Sequence, residues 1–192
     1  AFSHKVEQNV ALLYPQVQAG MRIVVPGPTC SYTMKKEWPE YVPTAEVRAV
    51  ADATMDLMEF LVELGKKKQL VLEFKKSLGL VAYHVACHLR AQKIRVPGMR
   101  VLARVPETDV RVIEECSAVD GTWGMKAAHY ATGRRYAQRL TRGVADSEPT
   151  IVVTDCTLSA LRIDHEVKLG GREPVRVGLW VFLAVITSLF GL

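Results

Sequence analysis

Gly79–Gln92 reads GLVAYHVACHLRAQ. An apolar run, Leu80-Val81-Ala82-Tyr83, stops at His84-Val85-Ala86-Cys87-His88, and a polar, helix-competent segment follows. The pattern predicts a buried strand that delivers a thiol and two imidazoles to its carboxyl end. The same figure surrounds each of the other three cysteines. Asp109–Ile113 predicts a strand leading to Cys116, and Thr150–Val153 one leading to Cys156. Met21–Val25 predicts a short strand broken by Pro26-Gly27-Pro28-Thr29 just ahead of Cys30.

Helical patterns fill the intervals. Val6, Val10, Leu13, Tyr14 and Val17 recur at helical spacing over residues 5–19, and Gly20 stops that helix. Thr44–Leu64 is the longest pattern, with Thr44 as its N-cap and Gly65 as its C-cap. Lys66–Lys76 reads as a solvated basic connector. A helix interrupted near Val96-Pro97-Gly98 is predicted over Arg90–Arg104, and others over Met125–Arg142 and Leu158–Val167. Strands alternating with helices predict an α/β fold, a parallel sheet with crossover helices. Ligands in such sheets sit outside the carboxyl ends of the strands, and all four cysteines are predicted to fall there.

The chain has 192 residues, 49% hydrophobic and 23% charged, with a formal net charge of +5. That is a globular balance. The basic residues are scattered and no aromatics interleave with them, so there is no nucleic-acid footprint. The opening Ala1-Phe2-Ser3-His4-Lys5 has no secretory pattern and no Met, which suggests a chain beginning inside a longer protein. Four dispersed cysteines among helices and strands do not resemble a secreted disulfide framework. A cytoplasmic setting makes them metal ligands, redox thiols or small buried residues.

Compact zinc sites pair cysteines at C-x-x-C spacing, and this chain has no such pair. One cysteine per strand–helix unit requires the fold itself to gather the thiols, which favours a larger cluster at the sheet edge. His84 and His88 flank Cys87 and are candidates either for ligation or for hydrogen bonds that tune the site. Asp155 and Asp120 read as helix caps, and His129 and His165 as ordinary helical residues. Asp120-Gly121-Thr122-Trp123-Gly124 reads as a turn over the site, with Trp123 excluding water.

Four motifs in order carry a resemblance: Pro26-Gly27-Pro28-Thr29-Cys30-Ser31-Tyr32, Tyr83–Gln92, Glu115-Cys116-Ser117 with Asp120–Gly124, and Thr154-Asp155-Cys156. Over about residues 5–165 the chain resembles the cysteine-rich CCG-domain family of iron–sulfur proteins. It is most similar there to members like the C subunit of anaerobic glycerol-3-phosphate dehydrogenase and the B subunit of heterodisulfide reductase. The resemblance implies two pseudo-symmetric modules, with Cys30 ending the first and Cys87, Cys116 and Cys156 in the second. It also implies that the chain is the carboxy-terminal part of a longer protein. Ser117 and Ser159 stand where many members carry further cysteines, and Ala118 replaces a glycine. Three thiolates then remain in the second module, with His84, His88 or solvent as a fourth ligand.

These expectations divide the chain into residues 1–78 (end of a first module and its connecting helix), 79–170 (second module) and 171–192. The last contains Val177–Leu192, sixteen residues without a charge. It is shorter than the roughly 20 residues that span a bilayer core, and reads as buried or interfacial packing. The resemblance implies an electron-transfer subunit binding an iron–sulfur cluster, of 4Fe-4S type, through Cys30, Cys87, Cys116 and Cys156. Its implied partners are a flavin-containing dehydrogenase subunit and quinone or another acceptor, with peripheral membrane contact. The rival readings are a thiol–disulfide reductase of heterodisulfide type and an α/β interaction module without a cluster.

Overall fold

The structure is a computed structural model and describes residues 1–70, 74, 77–94, 96–169 and 177–178. The first half opens with α1 (Phe2–Gln18), β1 (Ile23–Val25) and α2 (Pro28–Tyr32). A π-helical turn, Thr33–Glu37, leads to α3 (Trp38–Tyr41). Then come α4 (Ala45–Ala53), β2 (Thr54–Asp56) and α5 (Leu57–Lys66). Strands β1 and β2 form a parallel pair, from Ile23 opposite Thr54 to Val25 opposite Asp56. Val6 and Val10 of α1 pack with Trp38, Val42, Val47 and Val50 into one apolar cluster.

The second half runs β3 (Gly79–His84), α6 (Cys87–Ala91), α7 (Pro97–Leu102), β4 (Thr108–Ile113), α8 (Tyr130–Asp146), β5 (Ile151–Thr154), α9 (Thr157–Leu169) and β6 (Val177–Gly178). Its sheet has the order β4-β3-β5-β6, with every pairing parallel. The pleat sends alternate residues of β3 to opposite faces. Val81 and Tyr83 join Met58, Leu61, Leu89, Val101 and Leu102 on one face. Ala82 joins Ile113, Leu140, Val144, Val152 and Ile163 on the other. Helices cover both faces of β3, which explains why its sequence is a continuous apolar run rather than an alternating one.

The α/β expectation holds, with corrections to the expected helices. Thr44–Leu64 is not a single helix. After α4 the chain extends for three residues to pair with β1, then re-enters a helix. The break has local causes. Thr54 donates its hydroxyl back to the Val50 carbonyl at 2.7 Å. Asp56 caps α5 by accepting from the Met58 amide at 3.0 Å, and Glu59 accepts from the Asp56 amide at 3.3 Å. This reciprocal capping box restarts a helix where helical periodicity alone would have continued it. Gly65 lies inside α5 rather than at its end, and the Arg104 guanidinium covers it 2.8 Å from where a Cβ would stand. Trp123–Met125 forms a separate 3-10 turn, so α8 starts at Tyr130.

Burial pushes the Asp56 carboxyl above its ordinary value, against the pull of the Met58 amide and the Ser31 hydroxyl. A raised carboxyl holds its proton better in the folded state. Its stabilising contribution is therefore complete at acid pH and declines as pH rises through the folded value. Asp56→Asn keeps a capping oxygen and removes the buried charge. It is expected to raise the urea midpoint at pH 7 more than at pH 3.5; an equal change at both would show that the charge is not the cause.

Of the apolar carboxyl-terminal stretch, only Val177–Gly178 lies within the described residues, as the strand beside β5. Among the described residues no helix is long and apolar enough to cross a membrane.

Candidate functional site

Strands β4, β3 and β5 are neighbours, and each releases its chain at the same edge of the sheet. Cys87 is the first residue of α6, three positions after the end of β3. Cys116 lies three residues beyond β4, and Cys156 two beyond β5. Parallel pairing thus brings three thiols, separate in sequence, to one end of the sheet. All four cysteines are free; Cys30, Cys87 and Cys116 are exposed and Cys156 is partly buried.

Two of the thiols bear on the third. Burial of the sulfur pushes the Cys87 thiol up, the Cys116 and Cys156 sulfurs push it further, and the His88 amide draws it partly back. Cys30 is not among the groups acting on Cys87. It sits on α2, which packs against α6. There Thr29 bonds His88 Nδ1 at 3.0 Å, Tyr32 stacks on the His88 ring at 5.1 Å, and Gln92 donates to Ser31 at 2.8 Å and to the Pro28 carbonyl at 3.2 Å. Among the described residues, no three His, Cys, Asp or Glu side chains stand close enough together to hold a single metal ion.

His84 is the last residue of β3 and is 2% exposed. Its Nε2 donates to the Glu115 carbonyl at 2.9 Å, and that obligate acceptor assigns the proton to Nε2. Its Nδ1 then accepts from the Thr154 hydroxyl, also at 2.9 Å. Burial lowers its affinity for a second proton. Neutral and bonded through both nitrogens, His84 offers no free lone pair in this arrangement.

The loop from Cys116 to Gly124 is tightly folded. The Ala118 amide donates to Cys116 Sγ at 3.3 Å, and Ala118 and Asp120 hold positive φ of 52° and 44°. The Gly124 amide donates to the Val119 carbonyl at 3.0 Å. A Cβ at Gly124 would stand 1.9 Å from the Ala118 carbonyl oxygen. Ser117, inside the loop, is buried and bonded at 2.8 Å to buried Ser159 of α9. Trp123 is 40% exposed and stacks on His129 at 4.2 Å.

Two further groups have partners that the sequence does not reveal. Asp155 Oδ2 accepts the Tyr83 hydroxyl across the sheet, and burial raises the carboxyl to about 6. Arg162, 2% exposed, donates to the Gly124 carbonyl at 2.5 Å and to Glu166 at 3.2 Å, and lies 5.1 Å over the Tyr130 ring. The bonds to Tyr83 and to Gly124 each span more than thirty residues of chain. No local motif announces them, apart from the oddity of an arginine between apolar neighbours in a helix.

The C subunit of anaerobic glycerol-3-phosphate dehydrogenase from Escherichia coli strain K12 is 26% identical to the chain in an alignment of 159 residues that covers 81% of this chain and 39% of that protein. The protein of the same description from strain O157:H7 shows the same figures. The chain thus spans about two fifths of the length of the curated relatives it matches. No protein-family model matches the chain. No solved structure shows significant similarity to it.

Proposed function

We propose that the chain is an iron–sulfur electron-transfer subunit, or part of one, in a dehydrogenase complex. Its cluster site would be formed by Cys87, Cys116 and Cys156, with Cys30 alongside on α2. The observation that carries this reading is the convergence of three thiols from three adjacent parallel strands, close enough for Cys116 and Cys156 to act on Cys87. A zinc ion draws its sulfurs to about 2.3 Å from one centre. The donor set is all-thiol, with Cys87 and Cys116 exposed and Cys156 partly buried, and soft thiolates are the usual ligands of a polynuclear cluster such as 4Fe-4S. Such a cluster supplies one-electron storage and transfer.

The residues around the thiols have distinct roles in this reading. Cys87, Cys116 and Cys156 ionise and ligate. The Ala118 amide, aimed at Cys116 Sγ, stabilises negative charge on that sulfur. His88, held by Thr29 and Tyr32, has one ring nitrogen outside those contacts and is the better placed imidazole for a fourth ligand or a bond to sulfur. Electrons would come from a flavin-containing dehydrogenase partner and leave to quinone or another acceptor, with the complex in the cytoplasm or at a membrane surface. The relatives' description as part of a dehydrogenase supports a partner of that kind.

A thiol–disulfide reductase is the weaker reading, because burial raises Cys87 and a reactive cysteine needs a lowered value. The Ser117–Ser159 hydrogen bond favours an interaction module without a cluster, since two positions of the resembled motifs are occupied by a satisfied hydroxyl pair.

Anaerobic reconstitution with iron and sulfide, followed by iron and sulfide analysis and electron paramagnetic resonance, tests the reading. The expected result is a stoichiometric cluster lost on Cys87→Ala, Cys116→Ala or Cys156→Ala, and retained in Cys30→Ala with an altered spectrum. A folded wild-type protein that keeps no iron would overturn it.

A further inference from the structure

We propose that His84 is a positioning residue that sets the Cys116 and Cys156 thiols in register by tying the Glu115 carbonyl to the Thr154 hydroxyl beyond the end of the sheet. For its cluster arm alone, the inference rests on the iron–sulfur reading.

The geometry comes from where the backbone ladder stops. In the pairing of β3 with β4, His84 lies opposite Ile113, and with β5 it lies opposite Thr154. The last main-chain rung is the Val85 amide on the Ile113 carbonyl, at 3.0 Å. Past it, β3 turns into α6 while the chain after β4 continues as a loop toward Cys116. A loop leaving a sheet has no ladder to fix its course. The His84 side chain supplies one further rung, donating from Nε2 to the carbonyl of Glu115, the residue before Cys116.

On the opposite side, Nδ1 accepts from Thr154, and Thr154 Oγ1 accepts from the Cys156 amide at 3.3 Å. The relay runs from the Cys156 amide through a hydroxyl and an imidazole to the carbonyl that precedes Cys116. Each donor in it has one acceptor, and the neutral Nε2–H tautomer satisfies every link. His84 is itself anchored three residues before Cys87. One buried side chain therefore references all three thiol-bearing segments to the central strand. Imidazole suits this place because it is rigid and carries a donor and an acceptor pointing in different directions. An aliphatic side chain would leave a carbonyl and a hydroxyl without these partners.

The test begins without iron. In a Cys30→Ser, Cys87→Ser background only Cys116 and Cys156 remain. Dibromobimane fluoresces after alkylating two thiols, so its rate of bridging reports their mutual placement at native temperature. His84→Ala and Thr154→Val are each expected to slow bridging about tenfold. His84→Gln, which keeps a donor toward Glu115, should recover part of the rate. In the reconstituted four-cysteine protein, the same variants should shift the resonance spectrum and speed loss of iron to a chelator.

A residue that only stabilises the fold would lower the melting temperature and leave the bridging rate unchanged; that result overturns the proposal. If His84→Ala does not fold, Thr154→Val, nearly isosteric, decides by the same rate. Altered bridging in a protein that never binds iron would sustain this proposal while sinking the iron–sulfur reading. Normal bridging and a normal spectrum in both variants would do the reverse.

Discussion

Gly124→Ala is expected to destabilise the protein by about 3 kcal/mol or more, at the upper end of the cost of forcing atoms into a packed site. The new methyl would stand 1.9 Å from the Ala118 carbonyl oxygen, a backbone atom with no rotamer to change. Relief requires the loop or the glycine to move. The loop is committed through positive φ at Ala118 and Asp120 and through the Gly124 amide on the Val119 carbonyl. Retreat of the glycine is blocked from the other side, where Arg162 grips its carbonyl and Gly133 of α8 approaches so closely that a Cβ there would lie 2.8 Å from the same oxygen. Gly27→Ala is the control, since nothing lies within 4 Å of where its methyl would stand and its φ is −119°. Urea unfolding of the metal-free protein should show a large fall in midpoint for the first and a change within about 0.5 kcal/mol for the second. Equal midpoints for Gly124→Ala and wild type would mean that the loop yields to the methyl at no cost.

Arg162→Ala is the second large effect, expected at about 3–5 kcal/mol, the cost of removing one partner from a buried polar cluster. The substitution empties a fully packed volume, leaves the Gly124 carbonyl without its donor and removes the cation from the Tyr130 face. Glu166 is less affected, because Arg134 Nε donates to both of its oxygens at 3.0 Å. Arg134 is 45% exposed, so Arg134→Ala should cost only about 0–1 kcal/mol. The contrast between two arginines on one carboxylate separates burial from pairing. Comparable losses for both would show that the ion pair, and not the carbonyl bond and packing, carries the stability. Arg162 and Gly124 meet at the same carbonyl, so their substitutions should be less than additive.

Both effects converge on the loop that carries Cys116, and neither was visible in the chain's local patterns. Leu80–Tyr83 announced a strand because helices cover both its faces and every residue is apolar. The cysteines announced strand ends because each follows an apolar run broken by polar or turn-forming residues. These are properties of a few consecutive side chains. The extended interval Thr54–Asp56 was hidden because its residues continue the helical spacing of Val47, Val50 and Ala51, although Asp56 with Glu59 held the capping signal that divides the two helices. The bond from Tyr83 to Asp155 was hidden because the partner of a carboxylate next to a helix start is not known until its neighbour across the sheet is in place.

The alternation of strands and helices was legible in the linear order of residues, and with it the delivery of one thiol to the end of each of several strands. Periodicity and turn chemistry act over short stretches of chain, so a local pattern suffices to reveal them. Which strands are neighbours was settled only on folding, and therefore also that Cys116 and Cys156 come near enough to raise the Cys87 thiol while Cys30 stands on a separate helix. Folding likewise spends both nitrogens of His84 on the backbone and hydroxyl beside the thiols, and turns Ser117 and Ser159 toward each other in the interior. Those contacts join residues 31 to 70 positions apart. Their energy depends on burial and on the orientation of two partners at once, and that information exists only when the chain is folded.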